Sequence, residues 1–308
     1  MTNSVLNLDE KDKEILLTLV SNCRTPYETL ARKLGITATA VKKRVKKLID
    51  TGVIVRFTID LSMAMVDGGA FLALISTDGS EKEDEFVKQI GSQGIAREVG
   101  SSSASLYTAI GTYVGPDGLR EFGSFVRGIK CVRKVELHTL IWEPGKRIEA
   151  TKLQLKVLRS LVENPRMSVE DISRQTGLTA KKTRAILNQL IESEAISLGL
   201  RMKLSAGDSV SFLSRIEWDE RLANLGQVLD FLTKAFPVEY WFPLISANEP
   251  VVFAVFVVRS LSDVARITNE INRAPFVKSS MTLLGKPNEA FPDIRSVRLE
   301  EMLEEGGH

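Results

Sequence analysis

Along residues 8–54, apolar positions fall at helical spacing in three short runs separated by turn-forming residues. Leu8, Ile15, Leu16 and Leu19, with Asp12 among them, predict a first helix that packs one face inward. Thr25, Pro26 and Glu28 predict the start of a second helix, with proline in its first turn and a Thr-x-x-Glu capping box. Leu30, Ala31 and Leu34 form its inner face. Gly35 supplies the positive φ that a tight turn needs. Thr37 then caps a third helix, with Val41, Val45, Leu48 and Ile49 as its buried stripe. Gly52 closes that helix, and the run from Val53 to Leu61 predicts a strand that would form a wing. Helix, glycine turn and helix at this spacing predict a winged helix-turn-helix.

The same pattern occurs twice. An offset of 142 residues places Leu16 on Leu158 and Ile54 on Ile196 without a gap. Asn22/Asn164, Arg24/Arg166, Glu28/Glu170, Arg32/Arg174, Gly35/Gly177, Thr37/Thr179, Ala38/Ala180 and Leu48/Leu190 are identical pairs. The glycine, the cap and the apolar stripe are kept together, which is the mark of a duplication.

The segments after the two copies match in order rather than in identity. After the first copy come an apolar strand run (69–77), a charged helix (81–91), two strands (95–99 and 104–113), a helix (116–127) and a strand (132–141). After the second come 210–218, 222–236, 238–246, 251–258, 261–273 and 276–284. Both orders are β-α-β-β-α-β, which predicts a ferredoxin-like sandwich. The expected fold class is therefore α+β: two winged helix-turn-helix domains alternating with two ferredoxin-like (βαββαβ) sandwich domains. The expected boundaries are 1–62 and 66–143 for the first pair, 147–205 and 208–287 for the second. Pro144-Gly145-Lys146-Arg147 is the linker between them, and 288–308 is a polar tail, acidic at its end and prone to fraying.

Composition narrows the function. The net charge is only +2, so the chain is not a polycation and any nucleic-acid surface must be a local cluster. No signal-like apolar core opens the sequence, and its longest apolar run, Val251–Val258, is too short to span a bilayer. A cytoplasmic protein without a membrane partner is expected.

The cluster lies on the third helix. Thr39, Lys42, Lys43, Lys46 and Lys47 fall on its outer face, Arg44 near the edge, and no acid occurs from Thr37 to Ile49. Lysines there would neutralise phosphates when the helix enters a major groove, and each such neutralisation would make binding salt-dependent. Thr37 and Thr39 lie in the turn that reaches base edges, and Arg56 on the wing is a further contact. A lysine-rich helix face taken alone reads as a solvated surface; after a glycine turn at this spacing it reads as a binding face for double-stranded DNA. The second copy keeps Lys181, Lys182 and Arg184 but has Asn188 and Gln189 in place of Lys46 and Lys47. A weaker DNA contact and a purely structural role both fit it.

Catalytic chemistry is sparse. There are two histidines, His138 within a strand run and His308 at the end, and two distant cysteines, Cys23 and Cys131, without a Cys-x-x-Cys pair. No metal site, cofactor or catalytic residue is expected. Alternation puts Trp241 on the opposite strand face from Tyr240 and Phe242, as core or interface packing.

With these motifs the chain resembles the Lrp/AsnC (feast/famine) transcriptional regulators. The resemblance is carried by Leu8-Asp9-x-x-Asp12-x-x-Ile15-Leu16, by Leu30-Ala31-x-x-Leu34-Gly35-Ile36-Thr37, and by Val41-x-x-Arg44-Val45-x-x-Leu48-x-x-x-Gly52-Val53-Ile54. It implies a homodimer or higher oligomer joined through the sandwiches, DNA sites with two-fold symmetry, and control by an amino acid or related metabolite. Ordinary members have one unit per chain, so here one chain could pair its own halves. The family's effector loop usually carries an acid; here it reads Gly100-Ser101-Ser102-Ser103-Ala104-Ser105, which leaves Ser101, Ser102 and Ser103 as candidates to hold an anionic effector through hydroxyls and backbone amides. The siroheme decarboxylases share this architecture, and a tetrapyrrole enzyme is the alternative function. A protein-interaction module is a third.

Overall fold

The computed structural model describes residues 8–102, 105–206, 209–286 and 288–305. In chain order, the first quarter gives α1 (Glu10–Ser21), α2 (Tyr27–Leu34), α3 (Ala38–Asp50) and β1 (Ile54–Leu61), then a short 3-10 turn. The second gives β2 (Gly68–Thr77), α4 (Glu83–Gly91), β3 (Ala96–Ser102), β4 (Leu106–Val114), α5 (Gly115–Gly128) and β5 (Val132–Thr139). The third gives α6 (Lys152–Leu161), α7 (Val169–Thr176), α8 (Ala180–Glu192) and β6 (Ile196–Met202). The last gives β7 (Val210–Trp218), α9 (Leu225–Ala235), β8 (Tyr240–Ile245), β9 (Val251–Val258), α10 (Leu261–Arg273), β10 (Val277–Leu284), β11 (Glu289–Ala290) and α11 (Ile294–Glu305). Among the described residues, no helix is long and apolar enough to cross a membrane.

These elements sort by kind rather than by position in the chain. Among the described residues, one compact unit holds 11–68, 143–203 and 292–305; the other holds 8–10, 69–142 and 204–291. The first is thus the two helix-turn-helix copies, the second the two sandwiches.

Within the helix-turn-helix unit, the strand expected to form the wing forms and takes its partner from the other copy. β1 pairs antiparallel with β6 of the second copy, from Leu61↔Ile196 to Ile54↔Met202. Phe57 opposes Leu200 and Thr58 opposes Gly199. At the duplication offset, Gly199 is the counterpart of Phe57 and Leu200 of Thr58, so the pairing maps onto itself. That is a pseudo-two-fold relation built into one chain. A lone strand exposes a full row of N–H and C=O groups, and pairing the two copies satisfies both rows at once. β6 also approaches α1 closely: a Cβ on Gly199 would lie 2.7 Å from the Val20 carbonyl oxygen, and the Cys23 N–H donates to the Leu198 carbonyl at 2.6 Å.

Two expectations are corrected here. The Thr-x-x-Glu capping box does not form; Pro26 is the N-cap of α2 without a side-chain bond. Thr25 instead donates its hydroxyl and its N–H to the Asn22 carbonyl, which closes the preceding turn. Within residues 288–305 the C-terminal segment forms regular elements: β11 pairs with β3, and α11 buries Leu299 and Met302 against the second helix-turn-helix core. The acids of that segment fall on one side, and apolar residues three apart, Leu299 and Met302, make an inward stripe on the other.

In the sandwich unit, the sheets have strand orders β11-β3-β4-β2-β5 and β10-β7-β9-β8. Without the added β11, both follow the ferredoxin-like order, in which the first and third strands lie side by side at the centre. The sheets are joined at two edges, by bridges Leu140↔Ser246 and Ser102↔Gly285. Trp241 does not follow simple alternation, because the β8–β9 register shifts between Tyr240 and Phe242. Tyr240 and Trp241 are both buried, Tyr240 within the core of this sandwich.

Candidate nucleic-acid interface

The path from α2 to α3 is set by local chemistry. Gly35 ends α2 at φ 62° and ψ 37°, in the left-handed region. The Ile36 N–H reaches back to the Ala31 carbonyl at 3.1 Å. Two residues after the glycine, the Thr37 hydroxyl accepts from the Ala40 N–H at 3.1 Å and starts α3. Val41, Val45 and Leu48 are buried beneath it.

The opposite face of α3 is exposed and basic. Thr37, Thr39, Lys42, Lys43, Lys46 and Lys47 are all exposed. Lys46 has an ion pair with Asp50 one turn on, at 2.7 Å; between two exposed side chains, such a pair is weak and open to exchange for a phosphate. Arg56 is exposed on β1, opposite Arg201.

Arg44 is placed differently from the reading of it as a DNA contact. Its guanidinium turns back to Asp12 at 2.7 Å, and the Asp12 side chain is only 8% exposed. The pair ties α3 to α1, so Arg44 positions α3 instead of facing outward with the lysines.

The second copy repeats the frame with different side chains. Gly177 ends α7 at φ 70°, and Thr179 caps α8 by accepting from the Lys182 N–H at 3.3 Å. Thr183, Ile186, Leu187 and Leu190 are buried. Lys181, Lys182 and Arg184 are exposed, and so are Ala185, Asn188 and Gln189 after them. Its basic groups thus crowd the first turns of the helix, whereas those of α3 begin only at its second turn.

The two frames are locked together by a reciprocal pair that the sequence showed only as a shared identity. Arg24 donates to the Pro165 and Met167 carbonyls at 2.7 and 2.8 Å. Arg166 donates to the Cys23 carbonyl. Since Pro165 is the counterpart of Cys23, these are one bond made in both directions. The Arg166 guanidinium also lies over the Tyr27 ring, 4.7 Å from its centroid. Burial lowers the Arg24 pKa and pushes the Cys23 thiol up to about 11. An arginine repeated at the same offset within a turn, where no helix pattern asks for it, was the available signal.

In the sandwich unit, the effector reading does not hold as expected. The Ser101 hydroxyl is buried and donates to the Glu83 carboxylate at 2.9 Å, which also takes the Lys286 ammonium at 2.6 Å. The hydroxyl is therefore spent on an anion of the protein's own. Ser102 forms the edge bridge to Gly285, and Ser103 lies outside the described residues.

His138 is fully buried. It bonds Glu136 at 2.9 Å and Ser246 at 3.0 Å, and its ring meets Phe253 edge-on at 5.0 Å. Glu136, His138 and Glu249 bring potential metal-ligand atoms within 4.8 Å of one another. The cation these carboxylates need is already present: Arg215 lies 2.8 Å from Glu136, 3.4 Å from Glu217 and 3.9 Å from Glu249. Burial alone would raise the Glu136 pKa, but the hydrogen bonds from His138 and Arg215 hold it below the ordinary carboxylate range.

Comparison with known proteins places both frames. Residues 8–49 match the AsnC-type helix-turn-helix domain, and residues 151–197 match a winged helix-turn-helix DNA-binding family. Over 57 residues the chain is 51% identical to the HTH-type transcriptional regulator LysM of Sulfurisphaera tokodaii, covering 18% of this chain and 41% of that protein. Over 55 residues it is 49% identical to the HTH-type transcriptional regulator LrpA of Pyrococcus horikoshii, covering 18% and 39%. The chain thus spans about two fifths of the length of these relatives. Across its whole length it is similar in fold to the siroheme decarboxylase NirDL, with a TM-score of 0.53 and 14% identity over 97% of this chain and 100% of that one.

Proposed function

We propose that this chain, whose helix-turn-helix domains are of the Lrp/AsnC type and stand twice in tandem, is a cytoplasmic transcriptional regulator that binds specific double-stranded DNA and acts by binding rather than by catalysis. The observation that carries this reading is the outer face of α3. Lys42, Lys43, Lys46 and Lys47 are exposed together, on a helix whose start is fixed by Gly35 and Thr37 and whose orientation is fixed by Arg44 on Asp12. Residues 8–49, which contain nearly all of this helix, match the AsnC-type helix-turn-helix domain. Pairing of the sandwiches within one chain supports a reading unit complete in a single chain; assembly of several chains is a further expectation.

Replacing the four lysines with alanine should weaken binding to any duplex and lower the log–log salt slope by about 3 to 4, at ~0.9 for each phosphate no longer neutralised. Titration of a labelled duplex at several salt concentrations measures both. Unchanged affinity and slope in a folded variant would sink the reading.

A second reading is favoured by the full-length likeness to NirDL: a tetrapyrrole enzyme on this architecture. Its check is the visible spectrum of siroheme on titration with the full chain. A shifted spectrum with saturation supports it, and an unchanged one retires it.

A further inference from the structure

We propose that the DNA site of this chain is an inverted pair of unlike halves, with Lys181 and Lys182 as the residues that make them differ. This deepens, and rests on, the DNA-binding reading above. Two identical chains carrying one reading helix each would prefer two identical halves. A duplicated chain is free of that constraint once its two reading helices diverge.

The frame required for two halves is present within the helix-turn-helix unit. The β1–β6 register relates the copies by a pseudo-two-fold. The reciprocal bonds of Arg24 and Arg166 hold the turns before α2 and α7 in the same relation. Two reading helices in an inverted relation are what a two-half site needs.

The helices themselves do not match where bases are read. Base edges are reached from the N-terminal turn of such a helix. In α3 that turn is Thr37-Ala38-Thr39-Ala40, and in α8 it is Thr179-Ala180-Lys181-Lys182. Both capping threonines are in use in the same way, and the alanines after them are identical. The difference is therefore confined to Thr39/Lys181 and Ala40/Lys182. The methyl groups of threonine and alanine suit the thymine C5-methyl, whereas an ammonium seeks paired acceptors, which guanine offers as N7 and O6. No acid occurs between Thr179 and Leu190 to divert these lysines along their own helix. The half under α3 should accordingly favour thymine at the two positions where the half under α8 favours guanine.

The test selects bound sequences from a randomised double-stranded DNA library, using the full chain and a variant carrying Lys181→Thr with Lys182→Ala. Both positions are exposed, and both new residues already stand at these places in α3, so the variant's thermal melt should overlay that of the parent. The parent should select a motif whose halves do not match on inversion, one of them containing guanine. In the variant that half should move toward the sequence of the other, giving a near inverted repeat. On a parent-selected site, changing the guanine to adenine should weaken the parent roughly tenfold and leave the variant nearly indifferent. A perfect inverted repeat for the parent, a motif with one half only, or an unchanged motif for the variant would overturn the inference while leaving DNA binding intact. Failure of the parent to enrich any sequence would remove the DNA-binding reading and this inference with it.

Discussion

The two helix-turn-helix copies solve the same packing problem with different chemistry, and the difference separates what the fold needs from what the function needs. Both keep the turn glycine (Gly35, Gly177), the capping threonine (Thr37, Thr179) and the arginine that crosses to the other copy (Arg24, Arg166). Inside, they diverge. The first copy ties α1 to α3 by an ion pair, Asp12 to Arg44. The second has Gln154 and a buried Ile186 at those places. The first has Ala31 on α2 and Val41 on α3, both buried. The second uses Ser173 and Thr183, whose hydroxyls bond at 3.0 Å. Outside, lysines at four positions of α3 become Arg184, Ala185, Asn188 and Gln189 in α8. Each copy thus offers a ready set of substitutions for the other.

The largest effect should come from exchanging the α1–α3 tie. Arg44→Ile alone removes the guanidinium from beside the buried Asp12 carboxylate, and removing one partner of such a pair costs about 3 kcal/mol or more. Asp12→Gln alone should cost less, because Arg44 is partly exposed and keeps access to water. With both changes the first copy carries the residues that stand at these places in the second, no buried carboxylate is left, and most of the loss should return. Denaturant unfolding of the parent, the two single variants and the double variant gives the coupling. Additive losses would mean that the two copies differ around this contact and that the solutions are not interchangeable. DNA affinity measured alongside shows whether the orientation of α3 depends on the tie.

Much of this comparison was legible from residue pattern, and the exceptions share a cause. The helices, their order and the offset follow from local periodicity, from Gly35 and from Thr37, each of which acts within a few residues. The sandwich order was legible for the same reason. Partner choice over long range was not: nothing in Ile54–Leu61 says that its partner is Ile196–Met202 rather than a hairpin mate. Thr25 looked like a cap because its spacing to Glu28 is right, but the Asn22 carbonyl lay nearer and took both donors. Arg44 falls near the edge of the outer face in sequence, and its long side chain reaches Asp12 instead of facing out with the lysines. Ser101 offered an anion site in sequence, and the Glu83 beside it appears only in three dimensions. The acids of the last helix masked its apolar stripe at Leu299 and Met302.

The cross-copy arginines should show an intermediate effect. Arg24→Ala leaves the Pro165 and Met167 carbonyls without that donor, and Arg166→Ala does the same for Cys23 while also removing the stack on Tyr27. Losing such a charged hydrogen-bond donor costs about 1.5–3 kcal/mol, so either variant should melt earlier. If the pseudo-two-fold is a working symmetry, both should also loosen specific DNA binding more than binding to random duplex. Equal loss on the two kinds of DNA would reduce the arginines to stabilising groups.

The smallest effect should come from the α7–α8 contact. Ser173→Ala with Thr183→Val installs the first copy's apolar pair. Replacing both partners of a buried hydrogen bond by apolar groups of similar shape is close to neutral. Thr183→Val alone should be tolerated as well, because the Ser173 hydroxyl keeps its bond to the Val169 carbonyl at 2.7 Å. Ser173→Ala alone is the informative variant, since it leaves the fully buried Thr183 hydroxyl without the Ser173 oxygen and should cost about 1–3 kcal/mol. Ser173→Ala is thus expected to be the least stable of the three, and a double variant less stable than Ser173→Ala would show that the hydroxyl pair sets how α8 seats on α7.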